Sequence, residues 1–378
     1  MNGSSTLFQR VILPGFALKA VVIGGGYATG RELATFFLPS GPRGGIYGML
    51  LSMLVWSLTC TLTFLFALKT NSLDYRTFFR HLLGRLWPLF EVSFALALIM
   101  ILAVYAAAAG SVGQAIFGWP VFAGSLLLVA GIALVAAFGN EGVESLFKYV
   151  TYFLYATYAI FVVLSLTHFG GRIVAAFDAH TSTTGWAAGG LMYAGYNILG
   201  AVLILPVVRH MTGRRDAVIA GMLAGPMAIA PAILFFICMA AYYPQVTNEP
   251  LPSDYLLGKL DIPAFRIVFQ AMIFAALLES ATGGIHAINE RVARAYHEAR
   301  GRALSMPARL AITCVVLALS VFVATRFGLV ALIASGYRWL AYAILTIYVL
   351  PLVTLGLWRI LRRDRPSDAK SQTVALSG

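Results

Sequence analysis

Long apolar runs recur along almost the whole chain, and they leave few folds open to it. Each run is long enough to cross a hydrocarbon core of about 30 Å as a helix. The residues are 60% hydrophobic and only 11% charged, so no stretch remains for a separate soluble domain. We therefore predict an all-α polytopic membrane protein. The ten predicted transmembrane helices cover residues 11–37, 44–67, 88–113, 121–138, 143–166, 189–208, 217–242, 262–285, 310–325 and 329–357.

The basic residues indicate how these spans are oriented. The formal charge is +12, but Lys and Arg gather in alternate connecting segments. Segments 69–85, 209–215, 291–309 and 359–370 hold most of them, and cytoplasmic loops of membrane proteins carry such an excess. We therefore expect both termini in the cytoplasm. The basic excess is explained by topology, so we expect the lipid bilayer and no nucleic acid as a partner.

Glycine breaks the first apolar run near its middle. Four glycines fall within residues 24–30, and irregular backbone survives inside a membrane only where it faces protein or a polar cavity. Amide groups where the helix restarts, at residues 27–31, would stabilise a substrate carboxylate. Carbonyl groups at the end of the first half, near Ile23–Gly25, would hold a cation. Close helix packing through small residues is the alternative explanation of the cluster.

The two halves of the chain have matching patterns of spans. An offset of about 175 residues places the first break on a second cluster, residues 195–200, as expected for an inverted-repeat transporter. The same offset matches two polar segments, the first connector (residues 69–86) and the second connector (residues 244–261). We predict a five-plus-five inverted repeat with discontinuous helices 1 and 6. Its parts are a first repeat over 1–170, a second repeat over 171–358, and a basic cytoplasmic tail over 359–378.

The two connectors have patterns of their own. In the first connector, Arg76 and Arg80 share one helical face while Phe79 and Leu82 lie near another, which is typical of an amphipathic helix on the membrane surface. The second connector would lie outside and could act as a lid. An ordinary connecting loop is the alternative for both.

Polar side chains at membrane depth are candidate site residues, because they are costly there unless satisfied. Asn197 and Tyr196 add an amide and a phenol to the second break. Tyr105, near the middle of the third span, could reach a substrate carboxylate from the opposite wall. A core tyrosine bonded to a backbone carbonyl is the alternative for Tyr105.

The eighth span holds candidates for the coupling ion. Glu279 could carry a proton, since a desolvated carboxyl holds its proton more tightly. Ser280 and Thr282 could instead ligate Na⁺ through their hydroxyl oxygens, and a purely structural hydrogen bond or ion pair of Glu279 is a further alternative. Glu32 should line the vestibule beyond the first break. Arg338 is a candidate gate residue or an anchor at the outer interface.

Several of these segments resemble one family. Residues 24–32, Gly-Gly-Gly-Tyr-Ala-Thr-Gly-Arg-Glu, are similar to the first-helix motif of the YkvI family of bacterial membrane proteins, part of the amino acid–polyamine–organocation superfamily. Residues 194–197, 283–285 and 288–291 resemble the same family. Arg31 departs from the pattern, which leads us to expect glutamine there. The resemblance covers essentially all ten spans.

The resemblance implies a LeuT-type fold in a bacterial inner membrane, working by alternating access. It implies a Na⁺- or H⁺-coupled transporter of an amino acid or related amine. The residues show no recognisable catalytic constellation, so we expect no enzyme activity and no cofactor. We expect a monomer or homodimer. A receptor or sensor that binds ligand without net transport is the alternative. By position, the cation site would include Ile23, Gly26, Ser280 and Thr282. The substrate-binding candidates are Gly24, Gly25, Gly26, Tyr27, Ala28, Thr29, Tyr105, Gly195, Tyr196 and Asn197.

Overall fold

The computed structural model describes the backbone of residues 5–137 and 139–362, and the side chains of these residues except 25 and 136–148. Within this part of the chain every regular element is helical. The α-helices are α1 (Leu13–Val22), α2 (Gly25–Ala28), α3 (Arg31–Phe36), α4 (Gly41–Thr70), α5 (Tyr75–Leu83), α6 (Trp87–Phe117), α7 (Val121–Ala137), α8 (Gly139–Asp178), α9 (Trp186–Asn197), α10 (Leu199–Leu203), α11 (Arg214–Ala240), α12 (Pro252–Leu260), α13 (Pro263–Arg300), α14 (Met306–Ala331), α15 (Tyr337–Ile344) and α16 (Leu357–Leu361).

Six helical stretches among the described residues are long and apolar enough to cross a membrane. The chain is therefore a polytopic helical membrane protein, as its apolar runs predict. Six is fewer than the ten spans predicted from the sequence, and the difference has identifiable sources. The six stretches are Leu38–Thr70, Tyr75–Phe117, Tyr149–Asp178, Arg214–Ala240, Pro263–Arg300 and Met306–Leu361.

The predicted first and sixth spans are divided into helices too short to cross by themselves. The first span contains α1, α2 and α3, and the sixth contains α9 and α10. The fourth span corresponds to α7, which has 17 residues. The last two predicted spans fall within a single stretch of 56 residues, in which Gly328 has non-helical φ and ψ angles of 74° and 165°. The count of ten spans and the inverted repeat stay predictions.

The packing of α4 against α11 depends on small residues. A Cβ atom on Gly221 would lie 2.4 Å from Thr61 Oγ1, and one on Gly225 would lie 2.3 Å from Ser57 Oγ. The two helix backbones therefore approach as closely as glycine allows, as at other small-residue interfaces in membranes. Pro226 has no N–H to bond the carbonyl of Met222, four residues earlier. The Ser57 hydroxyl donates to that carbonyl at 3.0 Å, so the polar group stays satisfied.

The first connector forms the predicted amphipathic helix, α5. Asp74 caps it by accepting a hydrogen bond from the Thr77 backbone N–H at 3.0 Å. Phe79 and Leu82 are buried while Arg80 is exposed, in agreement with the two predicted faces. At the other end of the chain α16 continues the last helix to Leu361, so the predicted tail over 359–378 begins with helix. Most of that tail lies outside the described residues.

The glycine contact between α11 and α4 predicts a difference between two substitutions. We expect Gly221→Ala to lower the free energy of unfolding by about 1–3 kcal/mol, because the new methyl group overlaps Thr61 and its backbone. Thermal unfolding of the purified protein in detergent measures this change. Gly283→Ala is the matched control, since a Cβ there meets no atom within 4 Å. Equal unfolding temperatures for the two variants would contradict the packing argument.

Candidate functional site

The break in the first span has two corners. The helix α1 ends at Val22, and Gly24 is extended with φ of −104° and ψ of −174°. The second corner is Gly30, whose φ of 76° lies in the left-handed region that favours glycine. A Cβ on Gly30 would also lie 3.1 Å from the Phe235 ring. The backbone leaves the regular helix at both of these corners, within the predicted residues 24–30.

Two glycines of the break let polar side chains lie directly on the main chain. A Cβ on Gly24 would stand 2.8 Å from the Tyr105 hydroxyl oxygen and 3.7 Å from Ser280 Oγ. A Cβ on Gly26 would stand 2.6 Å from Glu32 Oε1. The absence of side chains at these two positions therefore creates the space that a tyrosine hydroxyl and a carboxyl group now occupy.

Glu32 lies at the centre of this region. It is 5% exposed, and its Oε2 accepts a hydrogen bond from the Tyr196 hydroxyl at 2.5 Å. This bond joins the two predicted broken helices, because Glu32 belongs to α3 and Tyr196 to α9. The sequence places Glu32 in the vestibule, whereas the structure buries its carboxyl group against the break itself.

Tyrosines surround the Glu32 carboxyl group. Five tyrosine hydroxyls lie within electrostatic range of it, and they come from three different helices and the break. The Tyr193 hydroxyl is fully buried and has no hydrogen-bond partner among the described residues. The Tyr337 ring packs on the Tyr196 ring with their centroids 4.5 Å apart. The five are Tyr27, Tyr105, Tyr193, Tyr196 and Tyr337.

A chain of hydrogen bonds anchors the break to neighbouring helices. The Tyr27 hydroxyl lies 2.9 Å from the Tyr158 hydroxyl of α8. Tyr158 in turn donates to the Pro231 carbonyl of α11 at 3.1 Å. Both tyrosines line a small apolar cavity of about 20 Å³ beside Ile23. That volume holds roughly one water molecule, so this side of the break has no room for a larger molecule.

The second connector covers the break. Arg31 is 4% exposed and donates from one guanidinium nitrogen to the carbonyls of Thr247 at 2.9 Å and Glu249 at 2.7 Å. The Ser253 backbone N–H donates to the Thr29 carbonyl at 3.0 Å. The connector is therefore bonded to the broken segment at three points. Arg31 stands where the resemblance to the YkvI family predicts glutamine, and its guanidinium group makes two of these three bonds.

The remaining residues predicted for the first break mainly form contacts within the break or lie in the core. The Thr29 hydroxyl donates to the Gly26 carbonyl at 2.7 Å, so one predicted cation ligand already accepts an internal bond. Ala28 is buried in the core. Gly25 lies in α2, and its surroundings are outside the described side chains.

The second break is milder than the first. Between α9 and α10 only Ile198 leaves the regular helix, and its φ and ψ of −64° and −13° stay in the right-handed region. The position agrees with the predicted 195–200, but the backbone is not unwound. A Cβ on Gly195 would meet Leu345 at 3.0 Å, and Asn197 donates to the Tyr193 carbonyl at 3.1 Å within its own helix. Of the three candidates Gly195, Tyr196 and Asn197, it is Tyr196 that contacts the Glu32 carboxyl group.

The candidates on α13 are separated. Ser280 faces Gly24 and Tyr105, while the Thr282 hydroxyl donates to the Leu278 carbonyl of its own helix at 2.8 Å. Glu279 is half-buried, and it lies within electrostatic range of Tyr155. The structure does not bring Glu279 to the cluster around Glu32. Arg338, the predicted gate residue, is exposed, and its neighbour Tyr337 is the residue that faces the site.

Sequence reasoning missed two members of this cluster, Tyr193 and Tyr337. A usable signal was present, because Tyr193 precedes Tyr196 by three residues and so shares a helix face with it. Nothing in the local sequence distinguishes Tyr337 from other tyrosines at the membrane. Its contact with Tyr196 depends on how α15 packs on α9.

The overall structure is similar to solved structures of a manganese transporter from Eremococcus coleocola. One of them, in complex with an aromatic bis-isothiourea substituted compound, has a TM-score of 0.55 and 13% identity, covering 92% of this chain and 78% of that chain. A mutant of the same transporter has a TM-score of 0.52 and 14% identity, covering 90% and 77%. Similarity at this identity shows the fold alone, so this chain shares the fold of that transporter.

No family model matches the chain, and no curated protein matches it.

The bonds from Arg31 predict that this residue holds the second connector closed. We expect Arg31→Gln to increase hydrogen exchange of the Ser253 amide by about tenfold or more, because hydrogen bonds to charged groups contribute about 1.5–3 kcal/mol each. Peptide-resolved hydrogen exchange of the purified protein measures this.

Arg172→Gln is the control for that measurement. Arg172 is exposed and lies 4.8 Å from the Tyr242 ring, beside the connector but without a bond to the break. If both variants changed hydrogen exchange of the Ser253 amide equally, or neither did, Arg31 would not be the residue that holds the second connector closed.

Proposed function

We propose that the protein is a secondary active transporter of a small solute, an amino acid or related amine, working by Na⁺- or H⁺-coupled alternating access. The observation that carries the proposal is the break at 24–30, where glycine backbone meets the Glu32 carboxyl and the Tyr105 and Ser280 hydroxyls. Discontinuous helices with polar groups at mid-membrane depth form the binding sites of such transporters. The shared fold with a solved transporter supports the same class.

Two sets of contacts support the closing of this site from both sides. The second connector is bonded to the break through Arg31 and Thr29. On the opposite, predicted cytoplasmic side, Arg76 of α5 pairs with Glu298 of α13 at 2.5 Å, and Arg291 of α13 pairs with Glu91 of α6 at 3.1 Å. Alternating access requires that such contacts open one at a time, so each connector would serve as the gate of its own side.

Within this proposal the cargo would contact the break and the tyrosines of α9 and α6. The cation site would use Ile23, Gly26, Ser280 and Thr282. Ile23 and Gly26 belong to the broken segment, and Ser280 is the α13 residue that faces it at Gly24. The resemblance to the YkvI family supports both assignments. The domain boundaries, the LeuT-type repeat, the inner-membrane location and the cytoplasmic termini belong to the same proposal.

The side chains around the break favour an organic cargo over a metal ion. Sites for divalent metal ions commonly combine several carboxylate, imidazole or thiolate side chains, and carbonyl and water oxygens also serve ions such as Mn²⁺. The described residues contain no group of three or more His, Cys, Asp or Glu side chains that could hold a metal ion. The structural neighbours are described as manganese transporters, so Mn²⁺ is included in the experiment below as an alternative cargo, but it is not the cargo that we propose.

The function is tested with the full-length protein. A thermal-shift screen first compares alanine, glutamate, lysine, methylammonium, 1,4-diaminobutane and Mn²⁺, with and without Na⁺, since a ligand of the native state raises its stability. Radiolabelled hits are then used for counterflow in proteoliposomes. Binding with counterflow of an amine or amino acid is the expected result. Binding without flux would favour the sensor, and Mn²⁺ flux alone would contradict the proposed cargo.

The glycines of the break predict which variants lose transport. We expect Gly24→Ala and Gly26→Ala to reduce the rate of counterflow by about tenfold or more. The added methyl groups would overlap Tyr105 and Glu32 and displace these side chains. A site group that is misplaced by even a small distance lowers the rate strongly. Initial rates of counterflow measure this at equal amounts of reconstituted protein.

Gly283→Ala serves as the matched control, with open space around its Cβ, and we expect it to transport at the wild-type rate. If Gly24→Ala and Gly26→Ala transported at the wild-type rate, the binding site would not lie at the break.

A further inference from the structure

Glu32 is a buried acid with no cationic partner in the part of the chain that the structure describes. Among the described residues no Lys, Arg or His side chain forms an ion pair with it. Arg31, its neighbour in sequence, is directed to the carbonyls of the second connector. An ionised carboxylate in such surroundings is strongly disfavoured unless a cation balances it. The positive charge that balances an ionised Glu32 must therefore be supplied by something other than the described side chains.

The groups that face Glu32 suit an organic cation. Tyr196 contacts it directly, four more tyrosines lie within electrostatic range, and the faces of aromatic rings attract ammonium groups. The Tyr193 hydroxyl, buried and without a hydrogen-bond partner among the described residues, adds an oxygen that can still accept a hydrogen bond. The titratable groups facing Glu32 are Tyr27 of the break, Tyr105 of α6, Tyr193 and Tyr196 of α9, and Tyr337 of α15.

We propose that the cargo carries an ammonium group, and that this group replaces a proton on Glu32. The inference rests on the proposed function and narrows its substrate class to molecules with a positively charged amine. The predicted role of the break as a binding site for a substrate carboxylate is then not needed. The carboxyl group of Glu32 itself lies against the break, beside Gly26.

The exchange is balanced in charge. In the closed form without cargo, Glu32 holds one proton and is neutral. When the gate on one side opens, the O–H bond of Glu32 breaks, the proton leaves to the solution on that side, and the carboxylate pairs with the ammonium group. The proton returns from the other side after the cargo is released there. One positive charge moves each way, so the exchange of a monovalent amine is electroneutral.

The closed geometry requires movement before cargo enters. The Glu32 side chain is only 5% exposed, and the second connector covers the break. An amine therefore reaches Glu32 only after a gate opens. Glu32 is then a residue that touches the cargo, and Tyr196 positions it.

Proton release on binding tests this inference. Purified protein in a weakly buffered solution is mixed with chloride salts of methylammonium, butylammonium and 1,4-diammoniobutane, and with sodium acetate and butyrate at the same pH. A pH-indicating dye reports released protons. Where an ammonium salt binds, we expect about one proton per bound molecule, with none released by the carboxylates. Glu32→Gln, which keeps an acceptor for Tyr196, should abolish the release.

Two further variants make the result decisive. Asp178→Asn removes an exposed carboxylate at the end of α8, outside the proposed site and gates, and should release protons as the wild type does. Glu279→Gln removes the other candidate proton carrier of the spans. If Glu279→Gln abolished the release while Glu32→Gln retained it, the proton would belong to Glu279 and the inference would be wrong.

The remaining outcomes separate this inference from the proposed function. Binding and counterflow of an amino acid or carboxylate without proton release would leave a transporter whose cargo does not exchange with a proton on Glu32, so the inference alone would fail. Failure of every ammonium salt to bind would also contradict the inference. Proton release on binding without any counterflow would support the ammonium site while contradicting transport.

Discussion

The contact between the Glu32 carboxyl group and the Gly26 backbone is the interaction on which the rest of this structure depends. It places an acid in the apolar interior, where its only side-chain hydrogen-bond donor among the described residues is Tyr196. That single bond links the broken first helix to α9. The position is possible because glycine leaves room for the carboxyl group, and because the tyrosines around it exclude water while offering hydroxyl groups.

The arrangement around this contact connects packing with the proposed transport. The break is anchored to α8 and α11 through Tyr27 and Tyr158, whereas on its other side it is held by backbone bonds to the second connector. Helix α11 packs tightly on α4 through Gly221 and Gly225. Tight glycine contacts move as units, while a few hydrogen bonds between a connector and a helix end separate more easily. The connector is therefore the part expected to open.

The fold was predictable where it depends on local pattern. Apolar length identifies membrane helices, the glycine cluster identifies the first break, and the charge pattern of residues 73–83 identifies an amphipathic helix. The second break shows the limit of that reasoning. Gly195 and Asn197 suggest unwound backbone, but Gly195 is needed for close packing under Leu345, and Asn197 bonds within its own helix. Glycine for packing and glycine for a site look alike in sequence.

The site was less predictable because it depends on contacts between distant helices. The sequence places Glu279 and Glu32 equally within apolar spans, and only the three-dimensional packing surrounds Glu32 with five tyrosines while leaving Glu279 half-buried beside Tyr155. Arg31 looks like a misplaced charge until its partners, the carbonyls of residues 247 and 249, are known. Such long-range partners carry no periodic signal, so no single-sequence argument could name them.

Infrared difference spectroscopy tests the central claim most directly, because it detects the carbonyl stretch of a protonated carboxylic acid. Spectra of the protein in lipid are recorded before and after methylammonium is added, for the wild type and for Glu32→Gln. Our account predicts that methylammonium removes a protonated-carboxyl band in the wild type, and that this change is missing in the variant. An identical band change in both proteins, or a carboxyl group at position 32 that stays protonated with methylammonium bound, would contradict it.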